Sequence, residues 1–298
     1  MNSTRLQRFL AIYEHRSFGR AAAALHVTQP ALTKSIQLLE EELGVRLFER
    51  AATGVVPTIY GEALSLHAKV IEAEMANAAR EIATLSGATK GEVTVGVTPS
   101  VATDLIPKAF LKLSAERPGI TLRIVEGLMD HHIPALRRGE LDLVVGGWVR
   151  ADHPDLSTEI LMRDEVLIFA GEDHPLAELP DVPWSALADY PWVLPPSSQF
   201  WVMAFEQALA AKGFKAPTAA AVTNSAGFIR AMLLRNVYLS VLPARLLIND
   251  TRGGRIVALS VKELDVRFDV TMTYRTQVAR LPAFNHFVGT LRSLCGLR

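Results

Sequence analysis

Four side chains at the start of one short helical run could read DNA bases. In "HVTQPALTKSIQLLEEELGV", residues 26–45, Thr28, Gln29, Thr33 and Lys34 stand at one end and Glu40, Glu41 and Glu42 at the other. Glutamine can pair bidentately with adenine, threonine can bond a base or phosphate or touch a thymine methyl, and lysine suits a phosphate or a guanine. The positive end of a helix dipole at the same place favours phosphate oxygens. The three glutamates would be repelled by DNA, so the charge gradient orients such a helix tip-first. Each residue alone has an ordinary alternative: Gln29 as a solvated first-turn side chain, Thr28 as a helix cap.

The surrounding chain supplies the elements needed to present that tip. Leu6, Phe9, Leu10 and Tyr13 recur at i, i+3, i+4 and i+7 and predict a first amphipathic helix. Ser17 can cap a second, "FGRAAAAL", whose alanines allow close packing. After the turn "HVT" the third helix places Pro30 in its first turn, where a missing N–H costs nothing, and ends at Gly44. Leu32, Ile36 and Leu39 then face inward. "VRLFER" and "GVVPT" flank Gly54 as two short extended pieces, a β-hairpin wing. A helix-turn-helix presents the start of its second helix to the major groove. The candidate DNA-contacting set is therefore Thr28, Gln29, Pro30, Thr33, Lys34 and Gln37, with Arg50 at the wing for the backbone or minor groove.

A long helix follows, from about Thr58 to Leu85. Leu64, Ala68, Ile71, Met75, Ala78, Ile82 and Leu85 alternate spacings of four and three, a heptad seam that predicts pairing between two chains. The alternative is an amphipathic helix lying on its own domain. "SGATKG", Ser86 to Gly91, is small, polar and glycine-flanked, as a hinge would be. Beyond it the texture changes. "EVTVGV", "TLRIV", "DLVV", "VLIFA", "WVL", "YLSV" and "DVTMTY" read as short buried strands with helical stretches between them. Alternating strands and helices imply an α/β domain with largely parallel sheets.

Composition sets bounds on function. The 298 residues suffice for about two domains, and 49% hydrophobic residues allow sizeable cores. Lys plus Arg and Asp plus Glu both total 31, so any nucleic-acid surface is local. A single cysteine, Cys295, excludes an internal disulfide and fits a reducing, cytoplasmic setting. The N-terminal stretch has no uninterrupted apolar core of a signal peptide, and no run approaches a membrane span. GxGxxG, Walker, HExxH and nucleophile-elbow patterns are missing, and the histidines and cysteine show no metal-ligand spacing. No catalytic residue, metal ligand or cofactor is assigned. An enzyme thus has little support, a pure solute-binding protein does not explain the winged helix, and an architectural DNA protein leaves the large second domain unexplained.

The stretch "SFGRAAAALHVTQPALTKSIQLLEEELGVRLFER", continued by Gly54, Thr58 and Gly61, resembles the LysR-type transcriptional regulators. Weaker matches run on through "LIPKAFLKLSAERPGITLRI", "LRRGELDLVVGG", "EDHPLA" and "YLSVLP". The resemblance implies a winged helix-turn-helix over residues 1–58 and a coiled-coil linker helix with its hinge over 59–90. It implies an effector-binding domain over 91–298, built of two α/β lobes like periplasmic binding proteins. Lobe I would take about 91–162 and 268–298, and lobe II about 163–267. The expected partners are double-stranded DNA, a small-molecule effector, other copies of the chain (a dimer through the linker helix, within a tetramer) and RNA polymerase; no membrane is expected. One departure stands out. The family usually has glycines just before the "LP" segment, where this chain has Asn236, Val237 and Tyr238.

Ligands of such a domain bind where strand ends and helix starts converge between the lobes. After "EVTVGV" come Thr98, Pro99 and Ser100; after "PWVL" come Ser197 and Ser198, with Phe200 and Trp201 as an apolar wall; after "AAAV" come Thr223 and Asn224. Hydroxyls and free N–H groups there suit a carboxylate or another small organic anion. Serine and threonine also cap helices everywhere, so each alone is ambiguous. His131 and His132 lie near the first lobe's cleft by the same scheme, but adjacent histidines more often sit on a solvated loop. The expected function is sequence-specific transcriptional regulation switched by a small organic anion.

Overall fold

The structure, a computed structural model, describes residues 2–51, 54–85, 91–147, 155–262 and 264–297, with the side chains of residues 50, 51, 84 and 85 outside that description. The chain divides into two compact units, residues 1–88 with 134–141, and residues 89–133 with 142–298.

In the first unit the periodic apolar residues form helices α1 (Ser3–His15), α2 (Phe18–Ala24) and α3 (Gln29–Leu43). Each has the N-cap its sequence offers: Asn2 accepts from the Arg5 amide, Ser17 from that of Arg20, and Thr28 from that of Ala31. Gly44 ends α3 at φ 71°, a left-handed conformation that glycine adopts without steric cost. Leu6, Phe9, Ile12, Leu32, Ile36 and Leu39 fill the core between the helices. Full burial of such a side chain contributes about 1.5–3 kcal/mol. Strands β1 (Phe48–Ala51) and β2 (Gly54–Pro57) pair antiparallel as the wing, Phe48 opposite Pro57.

Helix α4 (Ile59–Leu85) is capped by Thr58, whose hydroxyl accepts from the Gly61 amide and donates to the Arg46 carbonyl. Gly61 meets the wing so closely that a Cβ would stand 2.3 Å from the Leu47 carbonyl oxygen. The seam on α4 divides. Leu64 and Ala68 pack into the winged-helix core, whereas Ile71, Met75 and Ile82 are exposed. Both sequence readings of this helix thus describe a part of it: its first turns lie on their own domain, and the apolar residues of its later seam are exposed in the single chain. Of the hinge stretch, residues 86–90 lie outside the described residues, and Gly91 opens a strand.

The second unit is built on one seven-stranded sheet. Strands β3 (Gly91–Val97), β4 (Ile120–Glu126) and β5 (Leu143–Gly147) pair in parallel. Helices α5 (Pro99–Ala102), α6 (Leu105–Glu116) and α7 (Met129–Arg137) follow β3 and β4 in sequence. Strand β6 (Leu156–Gly171) is long enough to serve two cores. Helix α8 (Trp184–Leu187), strand β7 (Trp192–Leu194), helix α9 (Phe200–Ala211), strand β8 (Ala219–Val222) and helix α10 (Ala226–Leu233) come next. Strand β9 (Ser240–Pro243), a 3₁₀ turn (Ala244–Leu247), helix α11 (Ile248–Arg252) and strand β10 (Ile256–Leu259) complete the second lobe. Strand β11 (Arg267–Arg275) returns alongside β6, and α12 (Pro282–Leu294) closes the first lobe.

The sheets are mixed rather than largely parallel. β6 pairs antiparallel with β9, β10 and β11, and β11 antiparallel with β5. Among the described strands, β3 with β4 and β5, and β7 with β8, run parallel. The reason is the two long strands that cross between lobes: one goes out and the other returns, so they must oppose each other. One core gathers Val93, Val95, Leu143, Met272 and Phe287; the other gathers Phe169, Trp192, Phe205, Leu239 and Ile256.

Asn236 stands where a glycine is expected. Its φ is 57°, in the left-handed region, where asparagine is among the few tolerated side chains. Its amide Nδ2 donates to Asp173 at 3.3 Å.

Candidate functional site

Two surfaces have the chemistry the sequence suggested. On the first, Thr28, Gln29, Pro30, Lys34 and Gln37 are all exposed and Thr33 is half-buried. Gln29, Thr33 and Gln37 recur every four residues and share one helix face. Thr28 caps α3 through its oxygen, which leaves its hydroxyl proton free to donate outward. The Thr33 hydroxyl donates back to the Gln29 carbonyl at 2.9 Å, so outward it offers an acceptor and its methyl group. Lys34 has no ion-pair partner among the described residues. Arg50 sits on β1 opposite Val55, and its side chain lies outside the described residues.

The acid end of α3 is structural. The Glu40 carboxylate accepts from the amides of Leu47, at 2.7 Å, and Phe48, at 3.3 Å, and so fastens the wing to the helix. Glu42 pairs with Arg5 at 2.7 Å, which removes that arginine from the basic residues available for DNA. The wing is also tied to α1. Gly54, at φ 126°, comes so close that a Cβ would lie 2.8 Å from the Arg16 carbonyl oxygen, which accepts from the Val55 amide.

The second surface is a cavity of about 420 Å³ between the lobes of the second unit. Thr98, Pro99 and Ser100 follow β3; Ser198 and Trp201 open α9; Thr223 and Asn224 follow β8, and all seven line it. Ser197 is the exception. Its hydroxyl donates to Glu206 at 3.2 Å, and it is outside the cavity lining. The Thr98 and Ser100 oxygens are 3.3 Å apart, and Thr98 caps no helix amide. The Thr223 oxygen accepts from the Ser225 amide at 3.0 Å. Gly146 makes room for Thr98, since a Cβ there would lie 2.5 Å from the threonine methyl.

Sequence reasoning missed several walls. Leu128, Met129 and Asp130 follow the end of β4, and Gly147 ends β5; the strand-end rule that found Thr98 would have found them. Leu242, Pro243 and Leu246 come from β9 and the 3₁₀ turn, and Phe268 from the returning β11. Nothing local marks Phe268, because its place depends on a strand that pairs across the whole domain.

The histidine pair divides. His131 is exposed and contacts Asp130 at 2.9 Å. His132 is buried, its Nε2–H donating to the Val97 carbonyl at 3.2 Å, and burial lowers its pKa. It braces the end of β3 and does not line the cavity. No group of three or more His, Cys, Asp or Glu among the described residues could hold a metal ion. No described helix is long and apolar enough to cross a membrane.

Comparison with known proteins supplies the context. Residues 3–62 match the family model "Bacterial regulatory helix-turn-helix protein, lysR family", and residues 86–296 match "LysR substrate binding domain". The chain is 31% identical to the HTH-type transcriptional regulator PcaQ of Agrobacterium fabrum over 91% of its own length and 87% of that protein's. It is 34% identical to the DNA-binding transcriptional dual regulator OxyR of Escherichia coli over 63% of its length and 61% of that protein's. In fold it is similar to a full-length OxyR variant of Pseudomonas aeruginosa, with a TM-score of 0.73, 24% identity and coverage of 98% and 95%. The LysR family transcriptional regulator CbnR gives a TM-score of 0.71 at 20% identity, covering 98% and 99%.

Proposed function

The chain belongs to the LysR family of DNA-binding transcriptional regulators with an effector-binding domain, and on that premise we propose the residues and chemistry by which it acts. Thr28, Gln29, Pro30, Thr33, Lys34, Gln37 and Arg50 contact the operator. Gln29 reads bases, and Lys34 and Arg50 hold phosphates or the minor groove. The second copy needed for a dyad-symmetric site joins through α4, a reading supported by the exposed Ile71, Met75 and Ile82 along its seam. Two such dimers form a tetramer.

The effector is a small organic acid held between the lobes by Thr98, Pro99, Ser100, Ser198, Trp201, Thr223 and Asn224. The observation that carries this is convergence: three polar turns from three separate strand ends meet around one cavity. Binding there alters the geometry of the DNA-bound oligomer, which requires that the effector prefer one geometry over the other. A thermal-shift screen of purified protein against small organic acids and sulfonates tests it. A selective binder at ~100 times its dissociation constant adds about 2.7 kcal/mol, and that gain disappears in Thr98→Ala or Ser100→Ala. A binder indifferent to both substitutions would move the site elsewhere.

One relative is named a hydrogen peroxide-inducible genes activator. Thiol-based peroxide sensing needs an accessible thiolate. Cys295 is the sole cysteine, and burial pushes its thiol pKa up, so a small-molecule effector suits this chain better than oxidation.

A further inference from the structure

The cavity just assigned to an effector has a charge pattern more specific than "small acid". Among the described residues its lining holds no lysine, arginine or histidine, and one carboxylate, Asp130, which is exposed and turned to His131. Arginines next in sequence to lining residues are already paired elsewhere. Arg245, between Pro243 and Leu246, binds Asp104 at 2.9 Å, and Arg230 on α10 binds Asp250 at 2.8 Å. A carboxylate entering this cavity meets hydroxyls and backbone amides, not a cation. One such group can be satisfied beside Thr98 and Ser100, with their hydroxyls free of helix-capping duty. A second, carried on the part of the molecule that lies against Phe200, Trp201 and Phe268, would lose its water without replacement, whereas Ser198, Thr223 and Asn224 offer neutral polar groups on the lining and no cation.

That wall is aromatic, and the backbone makes room for it. Phe200 and Phe268 meet edge to face with ring centroids 5.3 Å apart, and Trp201, the next residue along α9, is buried and also lines the cavity. Gly147 admits both rings: a Cβ there would lie 2.6 Å from Phe268 and 2.7 Å from Phe200. Flat ring surfaces of this kind favour stacked or edge-on aromatic partners. A cavity of about 420 Å³ lies within the range of small-molecule sites and has room for one or two fused rings.

We infer that the effector is a flat aromatic acid carrying a single negative charge, its ring against Phe200, Trp201 and Phe268 and its carboxylate beside Thr98 and Ser100. The inference rests on the reading of this cleft as the effector site. It excludes dicarboxylates and aliphatic diacids as the natural class.

Calorimetric titration of the full-length protein with benzoate, 2-naphthoate, naphthalene-2,6-dicarboxylate and succinate tests it. The expected result is binding of at least one aryl monocarboxylate, with naphthalene-2,6-dicarboxylate and succinate at least tenfold weaker. Thr98→Val and Gly147→Ala each weaken that binding tenfold or more, while Ser197→Ala, outside the lining, leaves it unchanged. Tighter binding of either diacid, lost in Thr98→Val, overturns the ligand class and leaves the cleft in place. Aryl-acid binding that survives both Thr98→Val and Gly147→Ala overturns the cleft assignment itself. No binding of either aryl acid up to millimolar concentration also overturns the class.

Discussion

Asp164 should make this protein less stable at neutral pH than it need be, and replacing it tests the structure quantitatively. The residue lies on β6 opposite Phe268, where the chain passes between lobes, and is only 6% exposed. One carboxylate oxygen accepts from the Glu165 amide at 2.9 Å; the other has no hydrogen-bond partner among the described residues. Burial pushes its pKa from 3.8 to about 6, against the opposing help of the Glu165 amide and of Arg245, through its charge and its nearby backbone amide. A folded-state pKa above the unfolded value means the folded form binds the extra proton between about pH 4 and pH 6. Stability is therefore full below that window, falls as pH rises through it, and levels off above it. A carboxyl raised from 3.8 to about 6 costs the folded state about 3 kcal/mol once the group is ionised in both states. Asparagine has the shape of the protonated acid and does not titrate. Asp164→Asn should match the wild type near pH 4 and exceed it by up to about 3 kcal/mol at pH 8. Urea unfolding followed across that range reads the difference directly, with all other titrations cancelling between the two proteins. A difference independent of pH, or a less stable variant at pH 8, would refute the assignment of a buried, poorly satisfied carboxylate.

Three further outcomes follow from the other unit. Gln29→Ala should relax preference at one or two base pairs by roughly 1–3 kcal/mol, read by binding to operator variants; an unchanged pattern removes Gln29 from base readout. Glu40→Ala leaves the Leu47 and Phe48 amides without their shared carboxylate and should cost about 1.5–3 kcal/mol in unfolding free energy. A melting temperature equal to the wild type's would mean the wing is held without that clasp. Met75→Lys places a charge on the exposed seam of α4 and should shift sedimentation toward the single chain; an unaltered oligomer would put the interface elsewhere.

The parts legible in the sequence are those set by short-range chemistry. Thr28 and Gly44 bound α3 because a cap and a left-handed glycine act within four residues, and Thr58 with Gly61 fixes the start of α4 for the same reason. Thr98, Ser100 and Thr223 are readable because each follows an apolar strand. What stays hidden depends on distant pairing. The antiparallel return of β11 along β6 brings Phe268 and Asp164 together, and neither local pattern distinguishes those strands from parallel ones. Helix α12 shows the same limit: "PAFNHFVGTLRSL" buries Phe284, Phe287 and Leu291 against the first lobe, yet nothing in its local pattern names that partner. Ser197 and Ser198 are adjacent and chemically alike, and only the direction of each side chain sends one to Glu206 and the other to the cavity.

The most direct test of the account is a footprint on a duplex selected by this protein from random DNA, taken with and without a saturating cleft ligand. The account predicts a dyad-symmetric protected site whose extent or affinity changes with ligand in the wild type and stays fixed in Thr98→Val. Because the linkage is reciprocal, operator DNA should alter ligand affinity by the same factor. An identical footprint and identical affinity at saturating ligand would contradict the claim that the cleft controls the DNA-bound form.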